Sequence, residues 1–301
     1  MTSSTPASVD DARRGFAAVI GAFLIWGLLP LYLHLLKPVP VLQIMAHRLV
    51  WCCLFVVLWL AVCGRLGAVR TALATPATRW RLLASALLIS SNWLIYVWAV
   101  NDGHVVETSL GYFINPLVNV LFGVLLLSER LSRAQWTAVG LAAAGVAWLT
   151  WHAGAPPWIS LALAVSFSGY GLIRKTVAVE AVEGLAAETL LIVPVGVAYL
   201  IWCQWQGSGA LGHMGRLIDL WLVASGLVTA APLALFAYGA RRIAYSTVGV
   251  FQYIGPTLQI LIGVFLFHEP FTATHAIGFG LTWLALVIYL GEGLLRARER
   301  P

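Results

Sequence analysis

The sequence predicts an all-α membrane protein of ten transmembrane helices in two five-helix inverted-topology repeats. Three observations carry that expectation. Apolar runs of about twenty residues follow one another along the whole chain, Lys and Arg fall almost entirely in alternate linkers, and the chain superimposes on itself at an offset of 140 residues.

Composition sets the solvent first. Of 301 residues 60% are hydrophobic and 10% are charged, and the mean hydropathy is +0.88, which no water-soluble interior requires. Fourteen Trp and nine Tyr suit rings at the headgroup level or in a polar cavity. A net charge of +6 would also suit a nucleic-acid partner, but the basic residues stand singly or in pairs between apolar runs, so they are read as orienting helices and no nucleic acid is expected. Cys52, Cys53, Cys63 and Cys203 lie within apolar runs without a CxxC spacing and frame neither a disulfide nor a zinc site. Residues 1–14 are polar and lead into an apolar run too long for a signal-peptide core, so that run is expected to stay as the first span.

Crossing roughly 30 Å of hydrocarbon takes about twenty apolar residues. Runs of that size lie at 15–36, 41–63, 80–100, 106–128 and 134–152, then at 157–174, 184–205, 217–240, 246–268 and 274–295. The linkers after the third and eighth runs are so short that they force antiparallel neighbours. With a cytoplasmic N-terminus, the inside segments hold Arg13, Arg14, Arg65, Arg70, Arg79, Arg81, Arg130, Arg133, Arg174, Lys175, Arg241, Arg242, Arg296, Arg298 and Arg300. The outside loops hold only Lys37 and Arg216, and Arg48 lies within a span. The positive-inside rule therefore places both termini of a multi-pass protein in the cytoplasm, with an even number of spans.

The internal repeat sets residues 81–149 on 221–289 without a gap, and its clearest stretch aligns 114–129 with 254–269. Pro116 falls on Pro256, Gly123 on Gly263, Glu129 on Glu269 and Gly140 on Gly280. An offset of five spans turns the second copy upside down, and the loop charges follow: Asn101 and Asp102 become Arg241 and Arg242, while Arg130 and Arg133 become Pro270 and Ala273. The halves are placed at 1–152 and 153–301 within one integrated membrane domain. Such inverted halves supply two pseudo-symmetric conformers with substrate near the midplane.

Polar residues at bilayer depth are functional candidates because a charge there must be paired or face water. Arg48, beside His47, has its positional counterpart near Glu188. Either it pairs with helix-end carbonyls or a glutamate, or it contacts substrate. Glu107, near Asp102 and His104, reads as part of a solvated outer loop with a carboxylate in a first helical turn, the alternative being a direct role in proton coupling. Glu129 and Glu269 each end a long helix and are expected to bind the N-terminus of the next one. Pro116 and Pro256 lie mid-span as helix kinks, each freeing a backbone carbonyl that a neighbour or a cavity must satisfy. Around them Tyr112, Asn115, Asn119, Gln252, Tyr253 and Gln259 stand at helical spacing. With Trp26, Tyr96, Trp98, Ser168, Tyr170 and Tyr238 they are the expected lining of an aromatic, amide-rich substrate cavity, although such residues also pack between helices or anchor at the interface. The lining suits a zwitterion or an aromatic amphiphile.

No catalytic or metal site is expected. GSGALG at 207–212 satisfies GxGxxG but has no strand before it. The chain holds no GxxxxGK[ST], HExxH or GxSxG, and the pairs His104 with Glu107 and His268 with Glu269 do not complete a tetrahedral site.

The stretch NWLIYVWAVNDGHVVETSLGYFINPLVNVLFG (92–123), with SER at 128–130, GYGLIRK at 169–175, LFAYGARR at 235–242 and FQYIGPTLQ at 251–259, resembles the RarD-type branch of the drug/metabolite transporter superfamily. The resemblance covers nearly the whole chain. It implies a ten-helix inner-membrane carrier with two EamA-type inverted repeats, no cofactor and small organic solutes as cargo. YddG-type aromatic amino-acid exporters are related, and RarD-like proteins are associated with chloramphenicol sensitivity. Residues and resemblance together predict a secondary transporter, not an enzyme, exporting aromatic or neutral amino acids and related solutes by alternating access. A drug or other metabolite exporter is the alternative, and a gated pore is the rival from another class. The expected partners are a small-molecule substrate and the lipid bilayer, with a monomer as the expected assembly; substrate and energy coupling stay open.

Overall fold

The computed structural model describes residues 9–101, 105–153, 158–266 and 272–298. Among the described residues the regular structure is helical, without strands. The helices are α1 (Val9–Leu35), α2 (Val41–Val62), α3 (Leu66–Ala74), α4 (Pro76–Asn101), α5 (Val105–Leu127), α6 (Arg133–Ala153), α7 (Trp158–Thr176), α8 (Ala181–Trp205), α9 (Arg216–Ala240), α10 (Tyr245–Phe251), α11 (Ile254–Phe265) and α12 (Ala273–Arg298). Among the described residues five helical segments are long and apolar enough to cross a bilayer: Asp10–Leu35, Val41–Val62, Ala181–Trp205, Arg216–Ala240 and Ala273–Glu292. The chain is thus an all-helical, multi-pass membrane protein.

Helix boundaries follow local chemistry. Pro76 occupies the first position of α4, where its missing N–H costs nothing. At the start of α6, Ser132 N–H donates to Gln135 Oε1 at 2.9 Å and Gln135 N–H donates to Ser132 Oγ at 3.1 Å, a reciprocal capping box. Thr272 and His275 repeat that exchange at the start of α12, at 3.4 Å each way. α2 ends on Gly64 at φ 68°, with Arg65 N–H on Leu60 O at 2.8 Å and Gly64 N–H on Ala61 O at 3.1 Å. α8 ends the same way on Gly207. Both are Schellman closures, in which a left-handed glycine lets two amides reach back to orphan carbonyls.

The starts of α2 and α8, of α4 and α9, of α5 and α10, and of α6 and α12 are each separated by 140 residues. Two features have no counterpart in the expected spans. α3 turns the linker after the second span into a helix. The ninth run is two helices, broken at Gln252 and Tyr253. The physical cause of the break is Pro256, which has no N–H for the Gln252 carbonyl; that carbonyl accepts from Gly255 N–H at 3.2 Å instead. Pro116, by contrast, sits inside a continuous α5, as Pro30, Pro194 and Pro232 sit inside α1, α8 and α9.

The chain divides into two compact units, Met1–Trp93 with Gly169–Ile243, and Leu94–Ser168 with Ala244–Pro301. α4 and α7 contribute to both. In the first unit α9 packs on α1 and α2, and α8 on α2 and α3. A Cβ on Gly226 would lie 2.6 Å from Trp51 Cβ, so only glycine permits the approach of α9 to α2. In the second unit α6 packs on α12 and α5 on α10. Phe113, Val146, Leu149, Val250, Tyr253, Phe279 and Tyr289 form its buried apolar core.

Candidate functional site

The second unit holds most of the expected lining, part of it at the α10–α11 break. Asn115, Asn119, Ser168, Gln252 and Tyr253 are all buried there. Asn119 Nδ2 donates to Gln252 Oε1 at 2.7 Å, and Ser168 Oγ donates to Asn115 Oδ1 at 2.5 Å. Tyr245 Oη donates to the Ser168 carbonyl at 2.7 Å, and Tyr253 Oη to the Phe113 carbonyl at 3.3 Å. Asn119 Oδ1 has no hydrogen-bond partner among the described residues. The half-buried rings of Tyr96 and Tyr112 meet edge to face at 5.9 Å. Gly249 brings α10 against Pro116, since a Cβ there would lie 2.7 Å from the Pro116 carbonyl oxygen. Gln259 and Pro256 follow on α11, Gln259 half-buried and Pro256 buried. Trp98 is 45% exposed and lies beside Trp158 at 5.6 Å.

Three expected lining residues lie in the first unit. Trp26 and Tyr170 share a neighbour, Phe236, at 5.8 and 6.0 Å between ring centroids. Tyr238 is half-buried with the Arg242 guanidinium 3.5 Å above its ring.

The intramembrane charges also gather in the first unit. Arg48 is buried on α2, where its Nε donates to Thr229 Oγ1 at 2.9 Å and its guanidinium lies 5.0 Å from the Trp93 ring centroid. Glu188, buried on α8, pairs with Arg174 Nη1 at 3.5 Å. Arg174, counted among the inside charges at the end of the sixth run, is 0% exposed, and its Nη2 donates to the Ala181 carbonyl at 2.7 Å. Gly184 makes the room, because any Cβ there would collide with the guanidinium. Beside Arg174, Lys175 Nζ donates to the carbonyls of Ala240 and Ile243 at the end of α9. Glu188, Tyr170, Trp93, Cys52 and Thr229 line a cavity of about 20 Å³. The GxGxxG segment is the loop after α8, and Gln43 pins it by accepting from Ala210 N–H and donating to the Ser208 carbonyl, both at 2.8 Å.

Glu129 requires a correction. Its carboxylate does not bind the next helix, which already caps itself through Ser132 and Gln135. Instead Oε1 accepts from Tyr245 N–H at 2.6 Å and Oε2 from Ser246 N–H at 2.9 Å, the first two amides of α10. Ser128 at φ 55° turns the chain back, and Gly123 leaves space for the carboxylate. Glu269, His268, Asp102 and His104 lie outside the described residues, as does the Glu107 side chain.

Comparison with known proteins agrees with this architecture. Residues 13–151 and 156–291 each match the EamA-like transporter family. An uncharacterized transporter of Pseudomonas aeruginosa is 43% identical over 97% of this chain and 98% of its own length. Protein RarD of Escherichia coli is 41% identical over 96% and 98%, and the chloramphenicol-sensitive protein RarD of Pseudomonas aeruginosa is 31% identical over 95% and 97%. A solved crystal structure 22% identical in sequence shares the fold, with a TM-score of 0.69 over 93% of this chain and 96% of its own. With the family matched across both halves and RarD proteins similar end to end, the chain belongs to the EamA-like transporter family as a RarD-type membrane transporter of small solutes.

Proposed function

We propose that the chain is a secondary carrier of the bacterial inner membrane that exports aromatic or neutral amino acids and related small organic solutes by alternating access. Its ten spans form two oppositely inserted five-helix repeats, 1–152 and 153–301, with both termini cytoplasmic and a monomer as the working unit. Four pairs of helix starts at a 140-residue separation support that arrangement. The observation that carries the reading is the pair of buried polar contacts in the second unit, Asn119 with Gln252 at the broken ninth run and Asn115 with Ser168, in the unit that also holds the paired rings of Tyr96 and Tyr112. Amide and hydroxyl dipoles suit the two charges of an amino acid, and the rings suit an aromatic side chain.

The test is uptake of radiolabelled amino acids into liposomes carrying the purified protein, each repeated with unlabelled amino acid inside. A carrier shows saturable flux that unlabelled substrate on the far side accelerates, lost in Gln252→Ala or Tyr112→Ala; a gated pore shows no such acceleration. Absence of flux for every amino acid in folded protein sinks the amino-acid reading. A drug or other metabolite exporter is the second reading, favoured by the name of the chloramphenicol-sensitive relative, and chloramphenicol is the first compound to try in that case.

A further inference from the structure

The charges of the first unit form a site separate from the Asn119–Gln252 cluster, and nothing in the reading above uses it. Glu188 is the eighth residue of α8, roughly 10 Å along the axis from its first residue. It is 3% exposed, and its partner Arg174 is more deeply buried still. We propose that Glu188 is a proton-binding site of the transport cycle, alternately protonated and paired with Arg174, so that solute export is coupled to proton entry. This rests on the carrier reading.

The ion pair is loose. Its 3.5 Å separation exceeds the 2.7–2.9 Å typical of a charge-assisted hydrogen bond. Among the described residues Glu188 Oε1, Arg174 Nε and Arg174 Nη1 all lack a hydrogen-bond partner. A buried pair with unmet donors and acceptors is the costly form of such a pair. Arginine keeps its proton under all conditions, so the glutamate is the member that becomes neutral. Arg174 has a second anchor in the Ala181 carbonyl and keeps it when the carboxylate lets go.

The surroundings select a proton over other cations. The cavity beside the carboxylate is about 20 Å³, room for one water molecule and for no solute. A metal ion would find one carboxylate there and a guanidinium beside it, whereas hard cations take six or more oxygens. Facing Glu188 are Arg174 and Tyr170 on α7, Cys52 on α2, Ser85 on α4 and Thr229 on α9, which accepts from Arg48 of α2, with Glu183 on its own helix paired to Arg65 at 2.6 Å. In the proposed step the carboxylate takes a proton from water on one side and becomes a carboxylic acid, and the pair with Arg174 opens. In the opposite conformer the proton leaves to water and the pair re-forms.

Two measurements on the purified full chain test this. Infrared difference spectra between acidic and alkaline buffer should show a carboxylic-acid carbonyl band that Glu188→Gln removes and Glu188→Asp shifts. In liposomes, a proton gradient should raise radiolabelled L-phenylalanine flux several-fold in the wild type, and the ratio of flux with and without gradient should fall to unity in Glu188→Gln. A band unchanged in Glu188→Gln, a wild-type flux indifferent to the gradient, or a ratio preserved in the variant overturns the proposal. A band that depends on Glu188 together with no L-phenylalanine flux supports proton binding and counts against the amino-acid reading alone.

Discussion

The Glu129 carboxylate accepts the Tyr245 amide at 2.6 Å and so ties the end of α5 to the start of α10, 116 residues further along the chain. With Ser246 N–H on the other oxygen, both acceptors of one side chain serve one helix start. Glu129→Ala should therefore lower stability by about 1–2 kcal/mol, the upper range for loss of a cap. Thermal unfolding in detergent reads this directly, with Glu129→Gln falling between variant and parent. A midpoint equal to the parent's in Glu129→Ala would show that the cap contributes nothing.

Two glycines inside helices, Gly123 on α5 and Gly140 on α6, should respond with opposite sign. A Cβ on Gly123 would lie 2.6 Å from Glu129 Oε2, so Gly123→Ala displaces the cap and destabilises. Gly140 on α6 has nothing within 4 Å of its Cβ position. Gly140→Ala should stabilise by up to about 1 kcal/mol through helix propensity alone. Unfolding midpoints of the two variants, measured side by side, check the sign.

Asn119 and Gln252 should behave as a unit. Each single change to leucine leaves a buried amide without its partner, at a cost of about 1–3 kcal/mol. The double variant removes donor and acceptor together, so its loss should be smaller than the sum of the singles. Strict additivity in unfolding measurements would mean that the 2.7 Å bond couples nothing.

Removing Arg174 strands Glu188. Arg174→Met should cost about 3–5 kcal/mol, and Arg174→Met with Glu188→Met should recover most of it, because a buried pair replaced by apolar side chains is often close to neutral. Yield and unfolding midpoint of both variants check this.

Cys63 is the one exposed cysteine among the described residues, while Cys52, Cys53 and Cys203 are buried. It ends α2 at the end assigned to the cytoplasm. A membrane-impermeant maleimide should label inside-out vesicles and spare right-side-out cells, and Cys63→Ser should abolish the label. Labelling of intact cells would invert the proposed orientation.

What is legible in the sequence is what local chemistry encodes. Pro76, Ser132 with Gln135, and Gly64 mark helix ends within their own first or last turn, so apolar runs and observed helices begin close together. The destination of Glu129 is not local. A carboxylate just past a helix end reads as a cap for its neighbour, and nothing in the linear order shows that Ser132 and Gln135 have already met that need. Arg174 beside Lys175 counts among the inside charges, and its depth of burial is not local either. Its burial depends on the missing side chain of Gly184 on another helix. At the candidate site, residue types at helical spacing single out Asn115, Asn119 and Gln252, whereas their pairing with Ser168 and with one another requires the axial register between helices, which periodicity does not contain.

The self-capped starts of α6 and α12 have a meaning for biogenesis. A helix whose first turn carries its own acceptors can form as it leaves the ribosome, whatever else has been made. The start of α10 depends on Glu129, which has been synthesised 116 residues earlier by the time Tyr245 emerges. Translation thus delivers the acceptor before the amides that need it, so that α10 finds its cap already made.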